Sequence, residues 1–279
     1  MGFEEPGSRW HQGPIMNTKP PILNAKSHAS PSVFRPENLL REARRQLNKD
    51  ATTVPEIVLL DPDGDILKWL EHQGRAERSP GWACYHTELY QFNLDGVTVG
   101  IIAQAVGASF AVLLAEQLFV SGCKVLFSMT SSGKISPSLE SPCFVLIDKA
   151  LRDEGTSYHY LPAADYASVN PDMLQALSSA PWPPECPVHT GPVWTTDAPY
   201  RETEIAIADA RERGILAVEM EAAALYAFSE ATGNPVVCFA HITNEMAQNG
   251  NDFEKGQDNG ARDALAVLSV AVQQLPRSV

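Results

Sequence analysis

The sequence predicts an α/β protein, a single domain in which helices flank a central mixed β-sheet. Between Val54 and Leu275, short apolar runs of strand length alternate with longer segments of helical periodicity. No linker-like segment interrupts this alternation, so we assign residues 34–279 to one domain. Residues 1–33 are rich in Pro, Gly, Ser and His, and we interpret them as a flexible leader or an expression remnant.

The first half of the domain is predicted to contain five strands, a hairpin turn and one long helix. A buried strand over residues 55–60 ends at the turn-prone segment Asp61-Pro62-Asp63-Gly64-Asp65. Asp95-Gly96 separates apolar runs at 90–94 and 97–103, which is a strong signal for a β-hairpin. The elements expected after this hairpin are a helix over residues 109–121 and strands over residues 123–129 and 143–147.

The second half continues the same alternation. A charged helix over residues 201–213 is expected to end at Gly214, a residue typical of helix C-termini. Gly233-Asn234-Pro235 is expected to stop a second helix, because proline cannot continue a helix. The remaining elements are a strand over residues 215–218, that second helix over 221–232, a strand over 235–241 and a helix over 260–275.

Composition limits the classes of function. The 34 acidic residues outnumber the 21 basic ones, and the net charge of −13 argues against a nucleic acid or an anionic membrane as partner. No apolar run approaches the roughly 20 residues that a membrane helix needs. The five scattered cysteines form no CxxC pair, which indicates free thiols in a reducing cytoplasm and no structural metal. We therefore expect a cytoplasmic protein that acts on a small molecule.

Glu219-Met220-Glu221 is the most informative segment. Apart from these two carboxylates, the run from Ile215 to Phe228 is apolar. Acidic side chains are rarely buried without a partner, and a polyhydroxylated ligand is one natural partner. The alternative is that both glutamates only cap the following helix at its positive end. The apolar flanks favour a ligand site.

Four further polar segments follow predicted strands, although each is also typical of an ordinary turn or surface loop. They are residues 128–133, 152–160, 195–202 and 241–244. Because ligands of α/β sheets bind in a crevice at the strand ends, we expect these segments to share one. His241 taken alone is interpreted as a core residue, and the acids at 61, 63 and 65 as a turn rather than a metal site.

Several of these segments carry a resemblance to a known family. Residues 218–226 resemble the ribose-binding signature of the purine/uridine nucleoside phosphorylase family, which its nucleosidases share. Residues 127–137, 152–160, 195–197 and 242–244 resemble other family segments in the same order. The chain is thus identified as a divergent member of this family. The resemblance implies cleavage of the N-glycosidic bond of a nucleoside-like substrate.

The resemblance also implies roles for individual residues. Glu221 would accept hydrogen bonds from the ribose 2′- and 3′-hydroxyls and stabilise an oxocarbenium-like transition state, while Met220 packs on the sugar and Glu219 holds the local network. Tyr85 and His86 would reach into the site of a neighbouring subunit, which implies a homo-oligomer with shared active sites. The other residues expected to contact substrate are Thr130, Ser131, His159, Thr196, Asp197 and Arg201.

The chain departs from the family pattern where phosphorylases bind phosphate. The family loop GDPxR reads Leu60-Asp61-Pro62-Asp63-Gly64 here, so Gly64 stands in place of its arginine. The position of a second family arginine falls near Tyr85 or His86. Ser128 replaces a third arginine. Each charged contact to phosphate is worth roughly 1.5–3 kcal/mol, so these losses favour water as the acceptor.

Two consequences follow for the acceptor and the base. Nucleosidases of the family place a general base near Asp65, which is our candidate, with a solvated turn residue as the alternative. Asn244 stands where purine-cleaving members carry an Asp, so the nucleobase of the substrate stays undecided. The alternatives are phosphate as co-substrate, held by Arg75, Arg78, Lys134 or Arg152, or a fold relative used for ligand binding, storage or another biosynthetic reaction. No other cofactor is expected.

Overall fold

The computed structural model of the protein describes residues 26–244 and 255–275. Residues 1–25 of the predicted leader lie outside that part of the chain. The strands are β1 Ile57–Asp61, β2 Glu77–Arg78, β3 Tyr90–Leu94, β4 Val97–Ala103, β5 Val125–Lys134, β6 Cys143–Asp153, β7 Tyr166–Ser168, β8 Val188–Thr196, β9 Ala217–Glu219 and β10 Val236–Asn244. The helices are α1 Pro36–Leu47, α2 Asp65–His72, α3 Ala108–Val120, α4 Pro171–Ser178, α5 Glu204–Glu212, α6 Ala222–Thr232 and α7 Ala261–Gln274.

The described strands form one mixed sheet, as the sequence predicts. β1 runs parallel to β4 and to β5, and β3 and β2 extend the sheet beyond β4 by antiparallel pairing. On the other side, β5 pairs with β10, β10 with β6, β6 with β8, β8 with β9, and β9 with β5 again. These five strands therefore close into a ring.

Most predicted elements are found within one or two residues of their predicted positions. The hairpin at Asp95-Gly96 joins β3 and β4, and both residues take the positive φ that a tight hairpin turn requires. The prediction of a loop over residues 128–133 is wrong, because β5 continues through these residues to Lys134. Its backbone pairs with β10 and, at Gly133 and Lys134, with β9. β6 likewise continues to Asp153, so Arg152 lies in a strand.

Helix α6 lies in the interior of the domain. Its residues from Ala222 to Ser229 are all buried, as expected for a helix that is apolar on every face. Phe228 packs against Phe119 of α3 with ring centroids 5.7 Å apart. The buried Tyr226 hydroxyl donates to the Ile147 carbonyl at 2.6 Å and accepts from the Cys238 amide at 3.1 Å. Tyr226 therefore ties α6 to both β6 and β10.

The polar strand ends converge on one edge of this ring. The parallel strands β1, β5 and β10 all end at that edge, and Val218 of β9 pairs with Gly133 at the end of β5. The start of α6 consequently lies beside the end of β5. Within the described residues, no helix is long and apolar enough to cross a membrane.

Candidate active site

Glu219 and Glu221 have different environments. Glu219 ends β9 and is 4% exposed. Its carboxylate accepts hydrogen bonds from the Thr195 hydroxyl and from the backbone amides of Glu221 at 2.8 Å and Ala222 at 2.7 Å. Oε2 thus caps the start of α6, and Oε1 is occupied by the Thr195 hydroxyl. For Glu219, the capping alternative describes the geometry.

Glu221 has an unsatisfied oxygen instead. It is 1% exposed, its Oε1 accepts from the Gly107 amide at 2.6 Å, and its buried Oε2 has no hydrogen-bond partner among the described residues. Burial, and after it the charge of Glu219, raises the pKa of the Glu221 carboxyl above its usual range. Gly107 is the N-cap of α3 and Glu221 the N-cap of α6, so both helices begin at this carboxylate. An unsatisfied buried carboxylate oxygen is suited to accept hydrogen bonds from a ligand.

Glu221 lines a cavity of about 590 Å³, which we call the main cavity and which is large enough for a nucleoside-sized ligand. Six residues singled out from the sequence line it together: Thr130, Ser131, Glu219, Met220, Glu221 and Asn244. The other lining residues in the described part of the chain are Pro62, Asp63, Val106, Gly133, Pro199, Tyr200, Glu202 and Val218. The predicted crevice at the strand ends therefore has a physical counterpart.

Asp63 occupies the hydrogen-bond donors of the β5 strand end. Its carboxylate accepts from the Ser131 backbone amide at 2.7 Å and from the Ser131 hydroxyl at 2.8 Å. Lys255 Nζ lies 3.1 Å from the same carboxylate and 2.7 Å from the carboxylate of Asp65. Sequence reasoning noted Asp63 only as a turn residue and missed Lys255, because 192 positions separate them and no local pattern links them.

Asp65 lies next to the main cavity rather than on its wall in the described structure. It is the first residue of α2 and also accepts a hydrogen bond from Asn259 Nδ2 at 3.3 Å. With Asp61, Asp63, Lys255 and His241, it lines a separate space of about 20 Å³, the polar chamber. Asp61 caps α2 through the amides of the residues at 64 and 67, and burial raises its pKa to about 7. Of the acids in this loop, Asp63 is the one that faces both spaces.

Glu202 belongs to the predicted polar segment 195–202 but was not among the residues expected to contact substrate. It follows the 3-10 turn Pro199–Arg201 and lines the main cavity. Its carboxyl is half-buried without a hydrogen bond, and burial alone raises its pKa to about 7. Asn244, also on the cavity wall, donates to the Ser132 carbonyl at 3.4 Å.

The remaining predicted contact residues do not line this cavity within the described chain. The Thr196 hydroxyl accepts from the Ala198 amide within a local turn. Asp197 accepts from the Gly155 amide at 2.8 Å and so joins the segment after β8 to the segment after β6. His159 and Arg201 are exposed. Tyr85 and His86 are exposed as well, and the Tyr85 hydroxyl donates to the Gln46 side chain. Their entry into a neighbouring subunit's site stays a prediction.

Three of the four basic residues considered as phosphate ligands are engaged elsewhere. Arg152 is 5% exposed and donates to the Ser157 hydroxyl and to the backbone carbonyls of residues 161 and 162. Arg78 pairs with Glu88 at the surface, and Arg75 lies over the Trp69 ring. None of these three lines the main cavity. The described structure thus offers no replacement phosphate site built from them.

Sequence comparison supports a nucleoside phosphorylase-type site. The chain is 27% identical over 190 residues to a guanosine phosphorylase of Halorubrum lacusprofundi, which covers 65% of this chain and 78% of that protein. It is 24% identical over 236 residues to a uridine phosphorylase of Thermococcus kodakarensis. This match covers 76% of this chain and 83% of that protein. Uridine phosphorylase of Vibrio fischeri has the same fold, with a TM-score of 0.66 and 19% sequence identity. The superposition covers 80% of this chain and 92% of that protein.

Fold and site together define a nucleoside phosphorylase-type protein. Residues 56–273, well over half of the chain, match the sequence profile of the Phosphorylase superfamily. The chain belongs to this superfamily, and the resemblance drawn from its sequence motifs is confirmed.

Proposed function

We propose that the protein hydrolyses the N-glycosidic bond of a nucleoside, with water rather than phosphate as the acceptor. The observation that carries this proposal is the pairing of Asp63 with Ser131. The Ser131 amide and hydroxyl are the donors that an incoming anion would use, and the chain's own carboxylate already occupies both. Asp63 and Asp65 share one cation, Lys255, so a phosphate dianion would meet net negative charge here.

Glu221 is the proposed partner of the sugar. Its unpartnered Oε2 on the wall of the main cavity is suited to accept hydrogen bonds from ribose hydroxyls. As the C1′–N bond breaks, its electron pair leaves with the base and positive charge develops on the ribosyl ring. A fixed carboxylate in a desolvated site stabilises that charge more in the transition state than in the ground state.

Asp63 is the proposed general base. It replaces Asp65 in this role because Asp63 lines the main cavity as well as the polar chamber, whereas Asp65 does not line the main cavity. Asp63 would accept one proton from water as the water oxygen bonds to C1′. The departing base takes a proton from solvent, so the products are the free base and the free sugar.

Glu202 and Asn244 are the proposed contacts of the base. A carboxylate pairs best with two adjacent N–H donors, and guanine presents its ring N–H beside its amino group. Glu202 has no competing hydrogen bond within the described structure. The name of the guanosine phosphorylase relative is consistent with this base. We therefore expect guanosine-type nucleosides to be the best substrates.

Base release from a panel of nucleosides, with and without phosphate, tests the proposal. We expect the same rate in phosphate-free buffer, and free ribose rather than ribose 1-phosphate as product. Asp63→Asn should lose base release, whereas Asp172→Asn, at an exposed position on α4, serves as the matched control.

Two results would contradict hydrolysis. Phosphorolysis, which the names of the relatives favour as the second candidate, requires release that depends on phosphate and yields ribose 1-phosphate. A ligand-binding protein would show a raised melting temperature with nucleoside but no free base.

A further inference from the structure

The polar chamber lies directly behind the main cavity. Asp63, Thr130 and Ser131 line both spaces, so the two spaces adjoin at these residues. The volume of about 20 Å³ exceeds the roughly 10–15 Å³ that one water molecule requires. A buried water also needs two to four polar partners, and the carboxylates on the chamber wall supply acceptors for it.

His241 is the unexplained residue of the chamber. It is 6% exposed and lines the chamber, and its Nε2 is buried without a hydrogen-bond partner. Its ring stacks on Phe144 with centroids 4.3 Å apart and an angle of 10° between the planes. Gly260 packs so closely that a Cβ there would overlap the imidazole ring. The ring is thus fixed by packing, with a polar nitrogen left for a ligand.

The charge state of His241 suits a water ligand. Burial lowers the pKa of the imidazole to about 4, so the ring is neutral at pH 7. A neutral imidazole has one donor nitrogen and one acceptor nitrogen. A buried ring nitrogen without a partner is destabilising, and one ordered water would satisfy it.

We propose that the polar chamber binds one water molecule between His241 Nε2 and the Asp63 carboxylate, and that His241 positions this water for attack on the sugar. The inference rests on the proposed hydrolysis. The water gives one proton to Asp63 as its oxygen bonds to C1′, and its other hydrogen is held by the His241 nitrogen. His241 does not exchange a proton and touches no substrate atom, so it is a positioning residue.

Two variants separate this role from a packing role. His241→Phe keeps an aromatic ring on Phe144 but removes both nitrogens, whereas His241→Gln keeps a polar group that can hold the water. His189 is exposed near the start of β8 and lines neither the main cavity nor the polar chamber, so His189→Phe is the matched control. The readouts are kcat and KM for base release, together with the melting temperature of each protein.

We expect His241→Phe to lose about tenfold to a hundredfold in kcat, because a misplaced nucleophile costs up to about a hundredfold. KM should stay within about twofold of the wild type, since the nucleoside contacts are unchanged. The melting temperature should stay close to that of the wild type, because the aromatic ring stacked on Phe144 is kept. His241→Gln should recover most of the lost rate, and a high-resolution crystal structure of the wild type should contain the water.

Full kcat in His241→Phe, with the wild type active, would overturn this inference and leave the proposed hydrolysis standing. Equal losses of activity and melting temperature in both His241 variants would also overturn it, because they indicate packing alone. A wild type that releases no base, or releases it only with phosphate, would overturn the proposed function and this inference together.

Discussion

Replacing Glu221 and Glu219 one at a time by Gln should separate a functional acid from a structural one. The two substitutions are chemically identical and lie two residues apart. Glu221 has one carboxylate oxygen bound to the Gly107 amide and one without a partner on the cavity wall, whereas Glu219 uses both oxygens within the protein. The same change should therefore reduce activity at one position and stability at the other.

For Glu221→Gln, the amide oxygen can still accept from Gly107, so folding loses little. The new NH2 group cannot accept from ribose hydroxyls and carries no charge. Two hydrogen bonds to a carboxylate at about 1.5–3 kcal/mol each amount to about 3–6 kcal/mol, or roughly a 10²- to 10⁴-fold loss of kcat/KM. The free energy of unfolding should equal or exceed that of the wild type, because a buried ionisable group is removed.

For Glu219→Gln, the single amide oxygen cannot accept from both the Thr195 hydroxyl and the start of α6. The NH2 group then faces a donor and leaves one or two buried groups unsatisfied. At about 1.5–3 kcal/mol for each lost charged hydrogen bond, the free energy of unfolding should fall by about 2–5 kcal/mol. Urea unfolding monitored by circular dichroism measures it.

Base release measured on both proteins at a temperature where both are folded completes the comparison. Full activity in Glu221→Gln would refute the assignment of Glu221 to the sugar. Wild-type stability in Glu219→Gln would refute its assignment as the cap of α6.

Three further predictions concern other positions. Tyr226→Phe should lower the free energy of unfolding by about 1–3 kcal/mol, because the buried Cys238 amide loses its acceptor; an unchanged urea midpoint would contradict this role. Because burial raises the pKa of Glu202 to about 7, the folded protein keeps a proton that the unfolded chain loses above its usual value of 4.5. The wild type should therefore lose stability relative to Glu202→Gln as pH rises from about 4.5 to 7, and parallel stability curves would rule this out. Gly260→Ala should lower the melting temperature, because the residue has φ +75° and its Cβ would overlap the His241 ring; a fully stable variant would show that the ring can move.

Local signals predicted the parts of the fold that depend on local chemistry. The hairpin at Asp95-Gly96 has the positions expected from its turn residues, and the buried helix α6 follows its apolar run. The stretch from Ser128 to Gly133 was predicted as a loop because its side chains are polar. Its backbone nevertheless pairs with strands about 85 to 110 residues further along the chain. No local sequence pattern can predict such distant strand pairing.

The candidate site was predictable only in part for the same reason. The acids at 219 and 221 stand out because they interrupt an apolar run, but their different roles depend on where α6 begins. The pairing of Asp63 with Ser131 and Lys255 joins three distant segments. Glu202 becomes notable only because it lies half-buried on a cavity wall, which sequence cannot reveal.

The common starting point of α3 and α6 gives distant packing residues an influence on the acidity of Glu221. The Gly107 amide belongs to one helix and the carboxylate to the start of the other, so their 2.6 Å separation depends on how the helices lie against each other. The contact between Phe119 and Phe228 fixes that arrangement. Phe119 lies about 18 Å from Gly107 along α3, at a helical rise of 1.5 Å per residue. Directed evolution of the pH optimum could therefore target this aromatic contact and leave every cavity residue unchanged.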